Sequence, residues 1–352
     1  MSIAHFLPWQ LQTAQAWLSK RERFAHAWLI HGVAGIGKVE FATAAAASLL
    51  CEAPVDHIAC GHCAACTWVA SDNHPDLRRI RPEAVALAEG GPTAANTDEA
   101  AAAGEGATTT KRAPSKEIRI DQLRSLESWF NTATHRGGWR VAVLYPAQAL
   151  NVISANALLK VLEEPPPNTI FLIVADAPDR LLPTLVSRCR RLPLPAPAAD
   201  LSLKWLASQG VSSAAEWLAA AGGAPLAALR LSKQGGPACP DYVVTLIESL
   251  AKGQTPDIGA LAESLEKLAP SVWIDALQRL YADLVLASVG AAVRYFPALS
   301  TGIAQTAARA DAVKLADGAR WLAQQRRVEM HPLNSKLFAH ASLQRVVQSC
   351  QI

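Results

Sequence analysis

Apolar residues in this chain are arranged in two ways, and the change between them divides it. Up to about residue 195 they gather in short runs, at Ala25–Ile30, Trp139–Leu144 and Thr169–Val174, and Arg190–Leu194 supplies a fourth stretch of strand character. Runs this short and this apolar predict strands buried on both faces. Their alternation with helices predicts a parallel sheet covered on both sides. The helices fall at the alanine-rich Lys38–Leu50, at the end of a short strand beginning at Ile118 and running on as helix to Phe130, and at Ser154–Glu164. Pro165, Pro166 and Pro167 stop the last of these, because proline has no amide hydrogen for the helix bond.

Past Pro193, Pro195 and Pro197 the strand runs cease. Leu201–Leu231 has helical spacing broken at Gly222-Gly223, and Gly235-Gly236-Pro237 marks a second linker. From Tyr242 onward apolar residues recur every third or fourth position, as in Trp273, Leu277, Leu280, Tyr281 and Leu284. The expected organisation is an α/β domain over 1–195, a small helical domain over 196–238 and an all-helical domain over 239–352. Between about Glu83 and Lys116 the chain is rich in Ala, Gly and Thr and poor in large side chains. Such a segment buries too little surface to offset its ordering entropy, so it reads as a disordered insertion.

Composition narrows the function classes. With 352 residues, 51% hydrophobic, 18% charged and a net charge of +3, the chain is an ordinary globular one of two or three domains. Its charge is too small to grip nucleic acid by bulk electrostatics. No apolar run reaches the ~18 residues of a membrane span, and Met1–Trp9 lacks the basic segment and apolar core of a secretory signal. The expectation is a cytoplasmic protein with no membrane partner, whose thiols stay reduced.

The first chemical signal is Gly32-Val33-Ala34-Gly35-Ile36-Gly37-Lys38-Val39, between the first strand and the first alanine-rich helix. In that setting G-x-x-x-x-G-K reads as a phosphate-cradling loop, with Gly32, Gly35, Gly37 and Lys38 as its nucleotide-binding residues; a glycine turn with a surface lysine is the plainer alternative. Val39 stands where Ser or Thr would hold Mg²⁺. The loop is therefore degenerate, and whether ATP binds is left open.

The second signal is Cys51-x8-Cys60-x2-Cys63-x2-Cys66. In a reducing compartment two adjoining C-x-x-C steps point to a metal, and four thiolates suit a closed, structural Zn²⁺ site. Buried free cysteines or a redox pair are the alternatives, and His57 or His62 lies near enough in sequence to replace one ligand. The third signal is an absence. A P-loop ATPase places an acidic pair after the strand at Val141–Leu144, but Tyr145-Pro146 stands there and neither residue coordinates a cation or orients water. Asp176, after the next strand, is the one acid placed to substitute, although such a residue more often caps a turn. Arg188, in Ser187-Arg188-Cys189, reads either as a surface or ion-paired charge or as an arginine finger for a neighbour's γ-phosphate.

Taken together, the Cys₄ insertion after a P-loop helix, His74-Pro75-Asp76, Asn156-Ala157-Leu158-Leu159-Lys160-Val161-Leu162-Glu163-Glu164-Pro165-Pro166 and Ser187-Arg188-Cys189 resemble the bacterial clamp-loader subunits of the AAA+ class. The resemblance covers the N-terminal half by motif and the rest by architecture. It implies an AAA+/RecA-like P-loop domain with a parallel sheet and a zinc-binding insertion, a helical lid and an all-α collar. Val39, Tyr145-Pro146, and Pro225 where a second sensor arginine would fall, set the chain apart from the family's ATP-hydrolysing motor and make it resemble the delta-prime branch. That branch implies a stator of the DNA-directed DNA polymerase (nucleotidyltransferase) holoenzyme with no ATPase or polymerase activity of its own. It would offer Arg188 in trans within a hetero-pentameric ring of motor subunits and a delta subunit, reaching the sliding clamp and primed DNA through that complex in the cytoplasmic replisome at the nucleoid. Two other readings stand beside it. One is an active ATPase of the same fold; the other is a stand-alone zinc-dependent nucleic-acid binder, which Glu52, Asp56 and Asp72 around the cysteines disfavour.

Overall fold

The computed structural model describes residues 4–90, 113–130, 132, 134–135, 138–326 and 334–351. The chain parts into two compact units, Met1–Ala196 and Pro197–Ile352.

The first unit opens with α1 (Leu11–Leu18), then β1 (Ala27–His31), α2 (Lys38–Leu50), α3 (Ala64–Ala70), β2 (Leu77–Ile80), α4 (Glu83–Ala88) and α5 (Ile120–Phe130). It continues with β3 (Arg140–Leu144), α6 (Val152–Glu163), β4 (Thr169–Ala175), α7 (Pro183–Ser187) and β5 (Arg190–Pro193). The strands form one parallel sheet in the order β2-β3-β4-β1-β5. Every residue of β3 and β4 is buried, as their unbroken apolar runs predict. On one face Leu29, Leu144, Phe171 and Ile173 pack with Leu123, Leu126, Leu158 and Leu162 of the covering helices. The helix α2 lies against β3 and β4 through buried Phe41, Ala42 and Ala44–Ala47. Small side chains there let its backbone approach the sheet closely.

Three sequence expectations need correction. Strand β2 has no counterpart in the apolar runs, because Arg78 and Arg79 interrupt Leu77 and Ile80 at the sheet edge. The segment expected to be disordered begins with ordered chain: Glu83–Ala88 is the helix α4. Its Glu83 Oε2 accepts the Ser115 amide (3.0 Å) while Oε1 pairs with Arg119 (3.3 Å), so residues on both sides of the insertion are tied together. Residues 91–112 of that expectation lie outside the described residues. The strand expected from Ile118 is a single parallel bridge between Ile118 and Leu150, after which α5 starts at once, with the Gln122 side chain accepting the Arg119 amide at 3.0 Å.

The second unit is helical throughout its described residues. It starts with α8 (Ala199–Ser208), α9 (Ala214–Ala220) and α10 (Pro225–Lys233), packed around Leu206, Leu218 and Ala228. There follow α11 (Asp241–Ala251), α12 (Ile258–Glu266), α13 (Pro270–Ser288), α14 (Ser300–Arg309), α15 (Ala312–Gln325) and α16 (Ser335–Cys350), which share a larger core centred on Trp273, Leu277 and Tyr281. Gly222 joins α9 to α10 in the left-handed region (φ +65°), and a Cβ there would stand 2.9 Å from the Tyr295 ring. Among the described residues no helix is long and apolar enough to cross a membrane.

One polar group organises this core. Asp283, on α13, is fully buried, and its carboxylate accepts the amides of Arg294, Tyr295 and Phe296 at 2.8–3.0 Å. It thus fixes the turn that leads into α14. Because Asp283→Ala strands three amide donors, it should destabilise this unit by about 3 kcal/mol or more, with Asp283→Asn falling in between. Urea unfolding of the full chain, followed by circular dichroism, checks the order.

Candidate functional site

The glycine loop leaves β1 in a slot between the ends of its two neighbours. Gly32 lies so close to the edge strand that a Cβ would sit 2.5 Å from the Leu194 carbonyl oxygen, so no larger residue fits. Gly35 and Gly37 take left-handed φ angles of +81° and +90°, which glycine adopts at little cost. Two carbonyls of the loop are satisfied from the N-terminal side. Trp9 Nε1 donates to Ile36 O at 3.0 Å, and Gln10 Nε2 donates to Ile36 O and Gly37 O at 3.2 and 2.6 Å.

Lys38, first residue of α2, is buried. Its ammonium donates to Val33 O at 2.6 Å and pairs with Asp176 Oδ1 at 2.6 Å. The residue that would reach a β- or γ-phosphate is thus already neutralised, and a phosphate entering the loop has to compete with Asp176. That carboxylate is itself held at the end of β4. With its side-chain amide oriented to satisfy both groups, Gln148 accepts the Asp176 and Ala177 amides at 2.6 and 2.7 Å. Asp176 is therefore the partner of Lys38, where the sequence left it between a turn cap and a metal ligand. Val39 brings no hydroxyl. The next one along the helix, Thr43 Oγ1, donates back to Val39 O at 2.9 Å and does not stand in. His31 beside the loop has its pKa lowered, by burial first and then by the charges of Arg191 and Lys38.

Beyond β3 the position of the acidic pair is filled by a different network. Tyr145 is 2% exposed, and its hydroxyl donates to Glu89 Oε2 at 2.8 Å. The same carboxylate oxygen meets Arg81 Nε at 2.9 Å. Burial pushes the phenol pKa up, so Tyr145 stays neutral. Glu89 is the nearby acid, but it comes from the end of α4 and is occupied by Tyr145 and Arg81.

Arg188 caps α7. Its guanidinium donates to Thr184 O at 3.0 Å and pairs with Glu163 at the end of α6, with both side chains partly exposed. The fold thus brings Arg188 to Glu163. Among the described residues no hydrogen bond or ion pair links it to Gly32, Gly35, Gly37 or Lys38. Pro225 is the buried first residue of α10.

The four cysteines converge. The Sγ atoms of Cys51, Cys60, Cys63 and Cys66 all lie within 4.8 Å of one another, with the Cys51–Cys63 and Cys60–Cys66 pairs at 3.9 Å. A tetrahedral shell with Zn–S bonds of about 2.3 Å requires S–S separations of about 3.8 Å, so the donor set fits such an ion. Local backbone makes the convergence possible. Cys51 ends α2, Gly61 turns the chain with φ +82°, and Cys63 caps α3 by accepting the Cys66 amide at 3.4 Å. The Cys60 amide likewise points at Cys51 Sγ (3.3 Å), and Ser48 Oγ accepts the Ala59 amide (3.1 Å), fastening the loop to α2. Cys60 is pulled down to about 6, chiefly by the His62 amide, whereas burial pushes Cys51 and Cys66 up. Neither histidine joins the group. His62 turns its Nδ1 to Cys60 O at 3.0 Å, and His57 sits in the left-handed turn (φ +68°) between Val55 and Ile58.

Sequence reasoning did not single out Trp9, Gln10, Arg81 or Glu89. Trp9, Gln10 and Glu89 act across long sequence separations, and Arg81 matters through Glu89, so no local pattern marks them.

A glycine loop and lysine between β1 and α2 of a five-stranded parallel sheet, with a helical unit following, define a P-loop protein of the AAA+ kind. Residues 10–198 match the family model described as "DNA polymerase III, delta subunit". The chain is 38% identical over 266 residues to DNA polymerase III subunit delta' of Pseudomonas aeruginosa, covering 74% of this chain and 72% of that one. With the delta' subunit of Escherichia coli it shares 33% identity over 209 residues, 58% of this chain and 54% of that protein. With the tau subunit of Bacillus subtilis it shares 28% over 172 residues, 49% of this chain and 25% of that protein. The chain belongs to the delta' family of DNA polymerase III subunits. A gamma subunit-related protein from Thermotoga maritima aligns over 97% of this chain and all of its own, with a TM-score of 0.41 and 17% identity.

The Lys38–Asp176 pair has a measurable consequence. Asp176→Ala leaves a buried ammonium with one carbonyl partner, and because Asp176 is half exposed the cost should be about 1–2 kcal/mol. Adding Lys38→Met should recover most of it, so the double-mutant cycle in urea shows strong coupling.

Proposed function

We propose that this chain is the non-hydrolysing delta-prime-type subunit of a DNA polymerase III clamp loader. In this reading it acts in the cytoplasm as a stator of a hetero-pentameric ring with the motor subunits and a delta subunit. Through that ring it helps place the sliding clamp on primed DNA in the nucleoid-associated replisome. The lid would correspond to residues 196–238 and the collar that joins the ring to 239–352. The observation that carries the reading is the Lys38 ammonium, closed by Asp176 and Val33 O in a loop that lacks a metal-binding hydroxyl. A site in this state holds the lysine away from an incoming phosphate and offers Mg²⁺ no hydroxyl at position 39. Tyr145, neutral and bonded to Glu89, removes the acidic pair as well.

Arg188 is the group this reading assigns to catalysis, in trans. Its present partner Glu163 is half exposed, so the ion pair contributes only about 0–1 kcal/mol and is readily exchanged. A γ-phosphate in a neighbour's water-poor site offers a stronger, charge-assisted contact. In a reconstituted loader, Arg188→Ala should lower the DNA-stimulated ATPase rate by a factor of about 10² or more, with assembly intact by native mass spectrometry. An unchanged rate removes the trans role. The purified chain with Mg-ATP should show no turnover, and a Lys38-dependent activity would instead favour an ATPase.

The metal we assign to Cys51, Cys60, Cys63 and Cys66 is a structural Zn²⁺, because four sulfur donors at tetrahedral spacing leave no open position for substrate. Elemental analysis should find one zinc per chain. Cys60→Ser with Cys63→Ser should lose it and lower the melting temperature by several degrees, as should a strong chelator. A zinc-free chain of undiminished stability contradicts the assignment.

A further inference from the structure

An open cavity of about 770 Å³ lies in the first unit, lined by α1, by the turn after it, by β1 and by the edge strand β5. None of Gly32–Lys38 lines it, so it is separate from the phosphate loop. Its floor is aromatic. Trp17 stacks on Phe24 with ring centroids 4.5 Å apart, and Trp28 stands edge-on to Trp17 at 5.3 Å. Its rim carries Lys20, Arg23 and Arg190, all exposed, and among the described residues no carboxylate lines the cavity. None of the three cations belongs to an ion pair among the described residues; Arg190 instead lies 5.5 Å from the centre of the Trp28 ring. The Nε1 donors of Trp17 and Trp28 also have no hydrogen-bond acceptor among the described residues.

We infer that this cavity is a docking site for an acidic segment of another protein chain, carrying a large apolar side chain between its carboxylates. Charge decides the sign of the ligand: the three lining cations form no ion pair among the described residues, and Glu22, in the turn between Lys20 and Arg23, does not line the cavity, so an anion is favoured. The floor decides its body. Trp17 and Trp28 are 6% and 7% exposed, and their faces are already covered by each other, by Phe24 and by Arg190, so nucleobases have no free ring to stack on. What remains open is an apolar hollow beside a cationic rim, which suits an aliphatic or aromatic side chain flanked by Asp or Glu. The edge strand β5, paired only with β1, borders the hollow and offers an extended segment a line to follow. This inference does not depend on the clamp-loader reading.

The test uses the full chain and a fluorescein-labelled peptide of sequence Glu-Asp-Leu-Phe-Asp-Glu, read by anisotropy at low salt. Saturable binding in the micromolar range is expected, at least about tenfold weaker when Ser-Ser replaces Leu-Phe and weaker again as salt is raised. The pair Lys20→Glu with Arg23→Glu, both at exposed positions, should weaken it at least about tenfold by removing the rim charge. Ala16→Trp, which fills the cavity without changing charge, should do the same. No binding up to about 1 mM peptide, or binding untouched by Ala16→Trp, overturns the inference. So does a labelled thymidine oligonucleotide that binds more tightly than the peptide and is lost in the same variants, since the cavity would then be a nucleic-acid site.

Discussion

The candidate site depends on β1 being flanked on both edges. β4 runs along one side and leads into Asp176; β5 runs along the other and carries on to Leu194, whose amide donates to His31 O at 2.8 Å. The chain leaving β1 therefore emerges into a gap already bounded by two backbones. Only glycine fits at position 32, and the lysine that opens the next helix arrives beside a carboxylate. Trp9 and Gln10 then satisfy the outward carbonyls of Ile36 and Gly37. These contacts hold the loop's shape, and the ion pair at its base opposes a phosphate entering.

In the reading proposed above, the positions that an ATPase would give to its hydrolytic groups are filled here by groups that satisfy one another. An acid at position 145 would lie beside Glu89, and two carboxylates so close cannot both remain charged without cost. Tyrosine instead supplies a donor to Glu89, and Arg81 completes the pairing. The same exchange occurs at Lys38, where Asp176 takes the place of a phosphate. At both places the charged groups are paired with one another.

Much of this was legible in the sequence, for reasons particular to each element. The strands β3 and β4 announce themselves because a strand buried on both faces must be apolar at every position, while Arg78 and Arg79 hide β2 at the sheet edge. The cysteine centre is legible because two C-x-x-C steps bring four sulfurs together through local turns. The helix α4 was lost inside a composition argument, since six residues of Glu, Ala, Val and Leu weigh little against the alanine and glycine that follow. Lys38 and Arg188 could be named but their partners could not. Asp176 and Glu163 reach them through the sheet and its covering helices, and nothing in the local sequence encodes those meetings.

The metal module is best understood by what it is attached to. α2 is held to the sheet by Phe41 and its buried alanines, so the loop it carries does not require the cysteines. On the far side the case differs. α3, capped by Cys63, places Trp68 edge-on against His74 and His135 at 5.8 and 5.5 Å. Asp76, next to the start of β2, accepts the His135 amide at 3.0 Å. β2, like β5, is an edge strand of four residues with one neighbouring strand among the described residues. Directly after it comes Arg81, which pairs with the Glu89 bonded to Tyr145. A metal held by the four cysteines would therefore stabilise this edge of the sheet, the edge that holds Arg81 and Glu89 beside Tyr145.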